Sequence, residues 1–194
     1  MLDTHARKYV NPIIDGGAEF FLKFKLTPNN VTVLALLIGI GTSIFVYFDM
    51  ELVAVILLWL SGFLDAVDGA MARKSNTTSA FGTLMDITFD RIVEVSIILV
   101  IGIKYVDVRI NLIVLAVSIL MSMTIFLTVG ALTEQKGMKS FYYQAGVAER
   151  SEGFIMFTLM ILLPNYLAII INIFSLMILI TAIQRALEAK KILN

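Results

Sequence analysis

Five carboxylates stand inside apolar stretches where a lipid-facing helix would carry none. Asp65 and Asp68 lie near the end of one such stretch, and Asp86, Asp90 and Glu94 lie in the next. An acidic residue at the bilayer centre costs at least about 2.5–3.5 kcal/mol on insertion scales, so its default reading is a functional site. Asp65 and Asp68 are three residues apart and Asp86 and Asp90 four apart, which puts each pair on one helix face; Glu94 extends the second stripe. The short polar link Lys74 to Ser79 would make the two helices antiparallel neighbours, so that four aspartates converge on one point. Four ionised carboxylates repel unless cations balance them. Arg73 and Arg91 supply some of that charge. Divalent metal ions are the better balance, because an all-oxygen set suits Mg²⁺, Mn²⁺ or Ca²⁺. Two such ions can clamp a diphosphate and stabilise charge on attacking and leaving oxygens. Thiolate sites and cysteine nucleophiles are excluded, since the chain has no cysteine; its one histidine, His5, stands far from the acids in sequence.

Small residues accompany the acids. Gly69 follows Asp68, and Ala70 and Ala72 leave room for a nucleotide to approach the backbone. Gly82 opens the next helix, where free N–H groups favour an anion. Arg73 has the geometry to pair with phosphate oxygens.

The elements that must hold these residues are membrane spans. In 194 residues, 59% are hydrophobic and 15% charged, with mean hydropathy +0.90; soluble domains carry about a quarter charged residues. With zero formal net charge, nothing draws the chain to nucleic acid, and no nucleic-acid partner is expected. No signal peptide is expected, because the first 28 residues hold no continuous apolar core. A span needs about 20 apolar residues. The pattern predicts spans over 31–48, 52–72, 82–103 and 110–133. The uncharged run 153–184 is too long for one span, and Pro164-Asn165 divides it. Its first half must then begin near Gly146, and its second runs from Tyr166 to about Leu187. Residues 1–28 read as a separate amphipathic segment, with Val10, Ile13, Ile14, Phe21 and Phe24 at helical spacing among Arg7, Lys8 and Lys23. The expected fold is an all-α integral membrane protein: an N-terminal juxtamembrane helix, 1–28, and a six-helix transmembrane domain, 29–194. Arg7, Lys8, Lys23, Lys25, Arg73, Lys74, Lys136, Lys139, Arg150, Arg185, Lys190 and Lys191 fall on one side of that plan, against Lys104 and Arg109 on the other. That bias puts both termini and the acidic site at the cytoplasmic face. Asp65, eight residues before Arg73, would lie about 12 Å below it at 1.5 Å per residue.

The run from Asp65 to Asp90, DAVDGAMARKSNTTSAFGTLMDITFD, resembles the signature of the CDP-alcohol phosphotransferase family: DxxDGxxAR, eight residues, then GxxxDxxxD. Asp65, Asp68, Gly69, Ala72, Arg73, Gly82, Asp86 and Asp90 occupy all its fixed positions. The resemblance implies that Asp65, Asp68 and Asp86 hold two Mg²⁺ or Mn²⁺ ions. It implies that Asp90 touches a metal and acts as the general base on the acceptor hydroxyl, with CMP as the leaving group. Asn29, Thr32, Asp65, Gly69, Ala72, Arg73 and Gly82 would bind the nucleotide; Pro28-Asn29 and Thr32 match a recurrent PNxxT element of the family. It also implies a CDP-lipid donor such as CDP-diacylglycerol, a small alcohol acceptor, a role in phospholipid biosynthesis and a homodimer.

The acceptor is the less constrained half. Lys136, Lys139, Arg150 and Arg185 at cytoplasmic helix ends could bind an acceptor phosphate. Ala148-Glu149-Arg150 resembles an AER element of family members that use phosphorylated acceptors. Some of those carry another arginine three positions on, where this chain has Gly153. The expectation is therefore glycerol 3-phosphate, with inositol phosphate or serine as alternatives. A rival of another class is a cation-coupled transporter, since intramembrane acids also mark ion pathways. Inverted repeats and broken helices would support it, and the sequence shows neither.

Overall fold

The computed structural model describes residues 2–135 and 146–193, and among these the chain is all-helical. The helices are α1 (Leu2–Lys23), α2 (Pro28–Tyr47), α3 (Glu51–Lys74), α4 (Ala80–Lys104), α5 (Arg109–Gln135), α6 (Arg150–Leu162) and α7 (Leu167–Leu193). Local chemistry sets the boundaries. Lys25, Asp49 and Asn76 take left-handed backbone conformations just after α1, α2 and α3, where a turn must end each helix. Thr27 caps α2 by accepting from the Asn30 N–H, with Pro28 in the first turn. Ser79 caps α4, its Oγ accepting from the Gly82 N–H at 3.0 Å. Arg73 and Lys74 close α3, where positive charge complements the helix dipole.

The described residues form two compact units, His5–Val106 and Asp107–Asn194 with the first four residues. In the first unit α2 is the shared partner: it packs along both α3 and α4, which contact it more than they contact each other. The sequence led us to expect α3 and α4 side by side. The reason they instead share α2 is Gly39. A Cβ there would collide with Val93 of α4 and would lie 2.8 Å from Ser61 Oγ of α3, so glycine lets three helices meet closely. Ser61 Oγ donates to the Ala35 carbonyl at 2.8 Å, and Ser43 and Ser96 share a hydrogen bond at 2.6 Å between α2 and α4. Lys104 Nζ donates to the Val46 carbonyl at 2.7 Å and pairs with Asp49, tying the end of α4 to the end of α2. α1 joins through a core of Ala18, Val31, Ala35, Leu64, Val67, Ala70 and Met71.

In the second unit α7 packs against α5 and α6. Asn111 donates to Asn172 at 2.8 Å, and the Phe157 and Phe174 rings meet edge to face at 5.3 Å. Here an expectation fails: the helix before Pro164 starts at Arg150, not near Gly146. Gly146 lies against Thr181 too closely for any Cβ, and the Ala148 N–H donates to Thr181 Oγ1 at 2.8 Å. These contacts keep residues 146–149 out of the helix, and Glu149, with extended backbone dihedrals, becomes the N-cap of α6.

Among the described residues, four helical segments are long and apolar enough to cross a bilayer: Pro28–Tyr47, Glu51–Lys74, Val106–Leu132 and Pro164–Lys191. α4 has the length but carries Asp86, Asp90, Arg91 and Glu94 along it, and the described part of α6 has 13 residues. This is a multi-pass arrangement by length and composition.

Candidate functional site

The acids of α3 and α4 do come together. One carboxylate oxygen from each of Asp65, Asp68 and Asp86 lies within 4.8 Å of the others. Asp65 and Asp68 are 7% and 5% exposed, and Asp86 is half-buried. The site arises because α3 turns the i, i+3 pair inward over the last turns before Arg73, while α4 starts at the Ser79 cap and reaches Asp86 two turns in. The donor set fits the metals the sequence pointed to. With metal–oxygen bonds near 2.1 Å, oxygens on one octahedral Mg²⁺ are about 3–4 Å apart. Small side-chain rotations would bring this trio to that spacing, and buried anionic oxygens suit hard divalent cations better than they suit each other.

Asp90 is not part of the close trio. It lines a small cleft with Asp65, Thr32, Ala35, Leu36, Ser61, Phe89 and Val93, at the point where α2, α3 and α4 meet. Asp90 thus reaches the same hollow as Asp65 from the α4 side. Thr32 is buried there, its hydroxyl donating to the Pro28 carbonyl at 3.1 Å, which leaves oxygen lone pairs free to accept. Ser61 and Phe89 escaped the sequence reading. For Ser61 a signal existed: it stands four residues before Asp65, on the same face of α3.

The other residues of the nucleotide assignment lie in this unit too. Asn29 Oδ1 is 3.5 Å from where a Cβ on Gly82 would sit, so the start of α2 meets the start of α4. Arg73 is exposed and its Nη1 lies 3.3 Å from the Cβ position of Gly69, folding back along its own helix. Ala72 is half-buried one turn beyond Asp68. Arg91 differs from expectation: it pairs with Glu94 at 2.7 Å. Spacing explains this, because residues three apart on a helix meet directly.

The residues assigned to an acceptor phosphate belong to the second unit or lie outside the description. Arg185 donates to Ser122 Oγ at 3.1 Å and stacks over Phe126, 5.0 Å from its ring centre. Arg150 is exposed in the first turn of α6, beside buried Glu149. Lys136 and Lys139 fall outside the described residues.

Comparison with known proteins gives this geometry a family. The model of the CDP-alcohol phosphatidyltransferase domain matches residues 25–184. The chain belongs to the CDP-alcohol phosphatidyltransferase family. An archaetidylinositol phosphate synthase of Pyrococcus horikoshii is 32% identical over 166 residues, covering 86% of this chain and 85% of that protein. A phosphatidylinositol phosphate synthase of Corynebacterium glutamicum is 32% identical over 95 residues, covering 48% and 43%. The crystal structure of a Mycobacterium tuberculosis phosphatidylinositol phosphate synthase with CDP-DAG bound is similar in fold. Its TM-score is 0.71 at 22% identity, over 92% of this chain and 94% of that one. The same mycobacterial enzyme in complex with manganese and citrate gives a TM-score of 0.70, again at 22% identity. This phosphatidyltransferase family member is thus a membrane transferase with a carboxylate centre suited to Mg²⁺ or Mn²⁺. Membership also decides against the transporter reading.

Proposed function

We propose that this transferase moves the lipid-phosphoryl group of a CDP-lipid to an inositol phosphate, with release of CMP. The observation that carries the acceptor is the archaetidylinositol phosphate synthase, similar over most of both chains. It reverses the order expected from sequence, in which Gly153 counted against inositol phosphate and glycerol 3-phosphate stood ahead. One missing arginine is weak grounds for rejecting a phosphate, since a cation from another position can meet the same dianion. We assign that task to Lys136, Arg150 and Arg185 from the sequence pattern.

The chemistry uses few groups. Bound Mg²⁺ or Mn²⁺ at Asp65, Asp68 and Asp86 would neutralise the diphosphate and the departing CMP. Asp90 accepts the proton of the acceptor hydroxyl. The freed oxygen attacks the lipid-side phosphorus, the bond from that phosphorus to the CMP oxygen breaks, and the electron pair leaves with CMP. Asn29, Thr32, Gly69, Ala72, Arg73 and Gly82 hold the nucleotide. The Gly39 crossing keeps Asp65 and Asp90 on one cleft.

The same reading includes six spans, a cytoplasm-facing site and a homodimer. The charge bias of twelve cations against two supports the orientation. Residues 1–28 then form a surface helix and residues 29–194 the catalytic domain. Exposed Val10, Ile13 and Phe20 on α1, with exposed Phe24 just after it, support its lying at the lipid interface. The test is CMP release from purified protein with Mg²⁺ or Mn²⁺, CDP-diacylglycerol or CDP-archaeol, and a panel of acceptors. Inositol phosphate should give the highest kcat/KM. Faster turnover with glycerol 3-phosphate or serine would reject the proposed acceptor, and no CMP from any pair would reject the reaction.

A further inference from the structure

The last turns of α3 present two opposite sides. At about 100° per residue, Asp65, Asp68, Gly69 and Ala72 project one way, and Phe63, Val67, Ala70 and Lys74 project the other. The first side is the metal and nucleotide motif. The second is covered by α1. Ala18 is fully buried with Val67, Ala70 and Met71. Gly17 comes so near that a Cβ there would sit 3.0 Å from Val67 Cγ2 and 3.2 Å from Phe63 Cζ. At the end of this side Lys74 Nζ donates to Glu19 Oε1 at 2.8 Å and to the main-chain carbonyl of Asp15 at 3.3 Å, with the Asp15 carboxylate at 3.4 Å. One ammonium therefore grips two positions, one turn apart, on α1. Its neighbour Arg73 turns toward Gly69 on the motif side.

We propose that Lys74 is a positioning residue. With Glu19 and Asp15 it clamps the back of α3 to α1 and so fixes the turn from Asp68 to Arg73 that receives the diphosphate of the CDP-lipid. The inference rests on the CDP-lipid reading above. An exposed ion pair contributes modestly, so loss of the clamp should be felt as weaker donor binding and not as lost chemistry.

Lys74→Ala should raise KM for the CDP-lipid by about three- to fivefold, with kcat and the acceptor KM within about twofold of the parent. Lys74→Arg should restore the donor KM. The double variant Asp15→Asn with Glu19→Gln should match Lys74→Ala, and combining all three should add nothing. Because Asp15 and Glu19 are exposed, that double variant remains informative if Lys74→Ala is poorly folded. Amide hydrogen exchange over residues 65–74 gives a readout independent of turnover and should speed up in each clamp variant. An unchanged donor KM, an equal defect in Lys74→Arg, a loss confined to kcat, or unchanged exchange would each overturn the proposal. A parent protein that releases no CMP would instead reject the CDP-lipid reading, leaving hydrogen exchange to judge the clamp.

Discussion

Substituting Gly39 by alanine should damage the site from a distance, because its missing side chain sets the spacing of three helices. The added Cβ would meet Val93 well inside contact distance, and Ser61 Oγ at 2.8 Å would have to retreat by roughly half an ångström to reach ordinary contact at 3.4 Å. Turning Ser61 away would also strain its 2.8 Å bond to the Ala35 carbonyl, and such a bond contributes about 0.5–1.5 kcal/mol. Overpacking of this kind costs about 1–3 kcal/mol, against which alanine gains about 0.8–1 kcal/mol of helix propensity over glycine. A net loss of about 1–3 kcal/mol remains. Gly41, two residues on, is the control: a Cβ there would find only Leu57 Cδ1, at 3.7 Å, so Gly41→Ala should be neutral or stabilising. Thermal unfolding in detergent compares the pair directly. The Gly39 variant should unfold several degrees lower, by about 2–4 °C per kcal/mol for a chain of this size. It should also lose about tenfold or more in CMP release, since Ser61 and Val93 line the cleft with Asp65 and Asp90 and a shift near 1 Å can cost about 10²-fold. Equal stability and activity of Gly39→Ala and the parent, or equal damage from Gly41→Ala, would refute the reasoning.

Asp90→Asn keeps the size of the side chain but cannot take a proton. It should lower CMP release by about 10²–10⁴-fold while leaving CDP-lipid binding, followed by calorimetry, within a few-fold of the parent. Chelation should abolish turnover, and added Mg²⁺ or Mn²⁺ should restore it; Asp86→Ala should shift the metal titration to higher concentration, read from activity against metal. Glu19 has its carboxyl held below the usual range, chiefly by its hydrogen bond to Lys74 and then by that ammonium's charge. A depressed carboxylate contributes above its unfolded value and loses that contribution as pH falls through its folded value. Attachment of α1 should therefore weaken as pH falls below the ordinary carboxylate range, as monitored by proteolysis near Lys23, and on the alkaline side only above the ordinary lysine range, since the same contacts hold the Lys74 ammonium up; loosening between neutral pH and that range would contradict this.

The sequence alone determined the class of chain, the positions of most helices and which acids gather into a cluster that could hold a metal. Apolar runs report spans because lipid leaves the backbone no partner but itself, and acids within them are too costly to be incidental. The spacing Asp65, Asp68, Asp86, Asp90 could be read without coordinates because helical periodicity fixes which residues share a face. Periodicity on one helix says nothing of which neighbour it meets. Hence α2 as the shared partner of α3 and α4, Ser61 and Phe89 in the cleft, and the late start of α6 at Arg150 were all decided by tertiary contacts. Close packing at a single point accompanies the shared packing on α2 and the late start of α6: Gly39 against Val93 and Ser61, and Gly146 against Thr181. The grip of Lys74 on α1 belongs with them, since nothing in a basic residue at a helix end distinguishes an anchor in headgroups from a clamp on a residue 55 positions away.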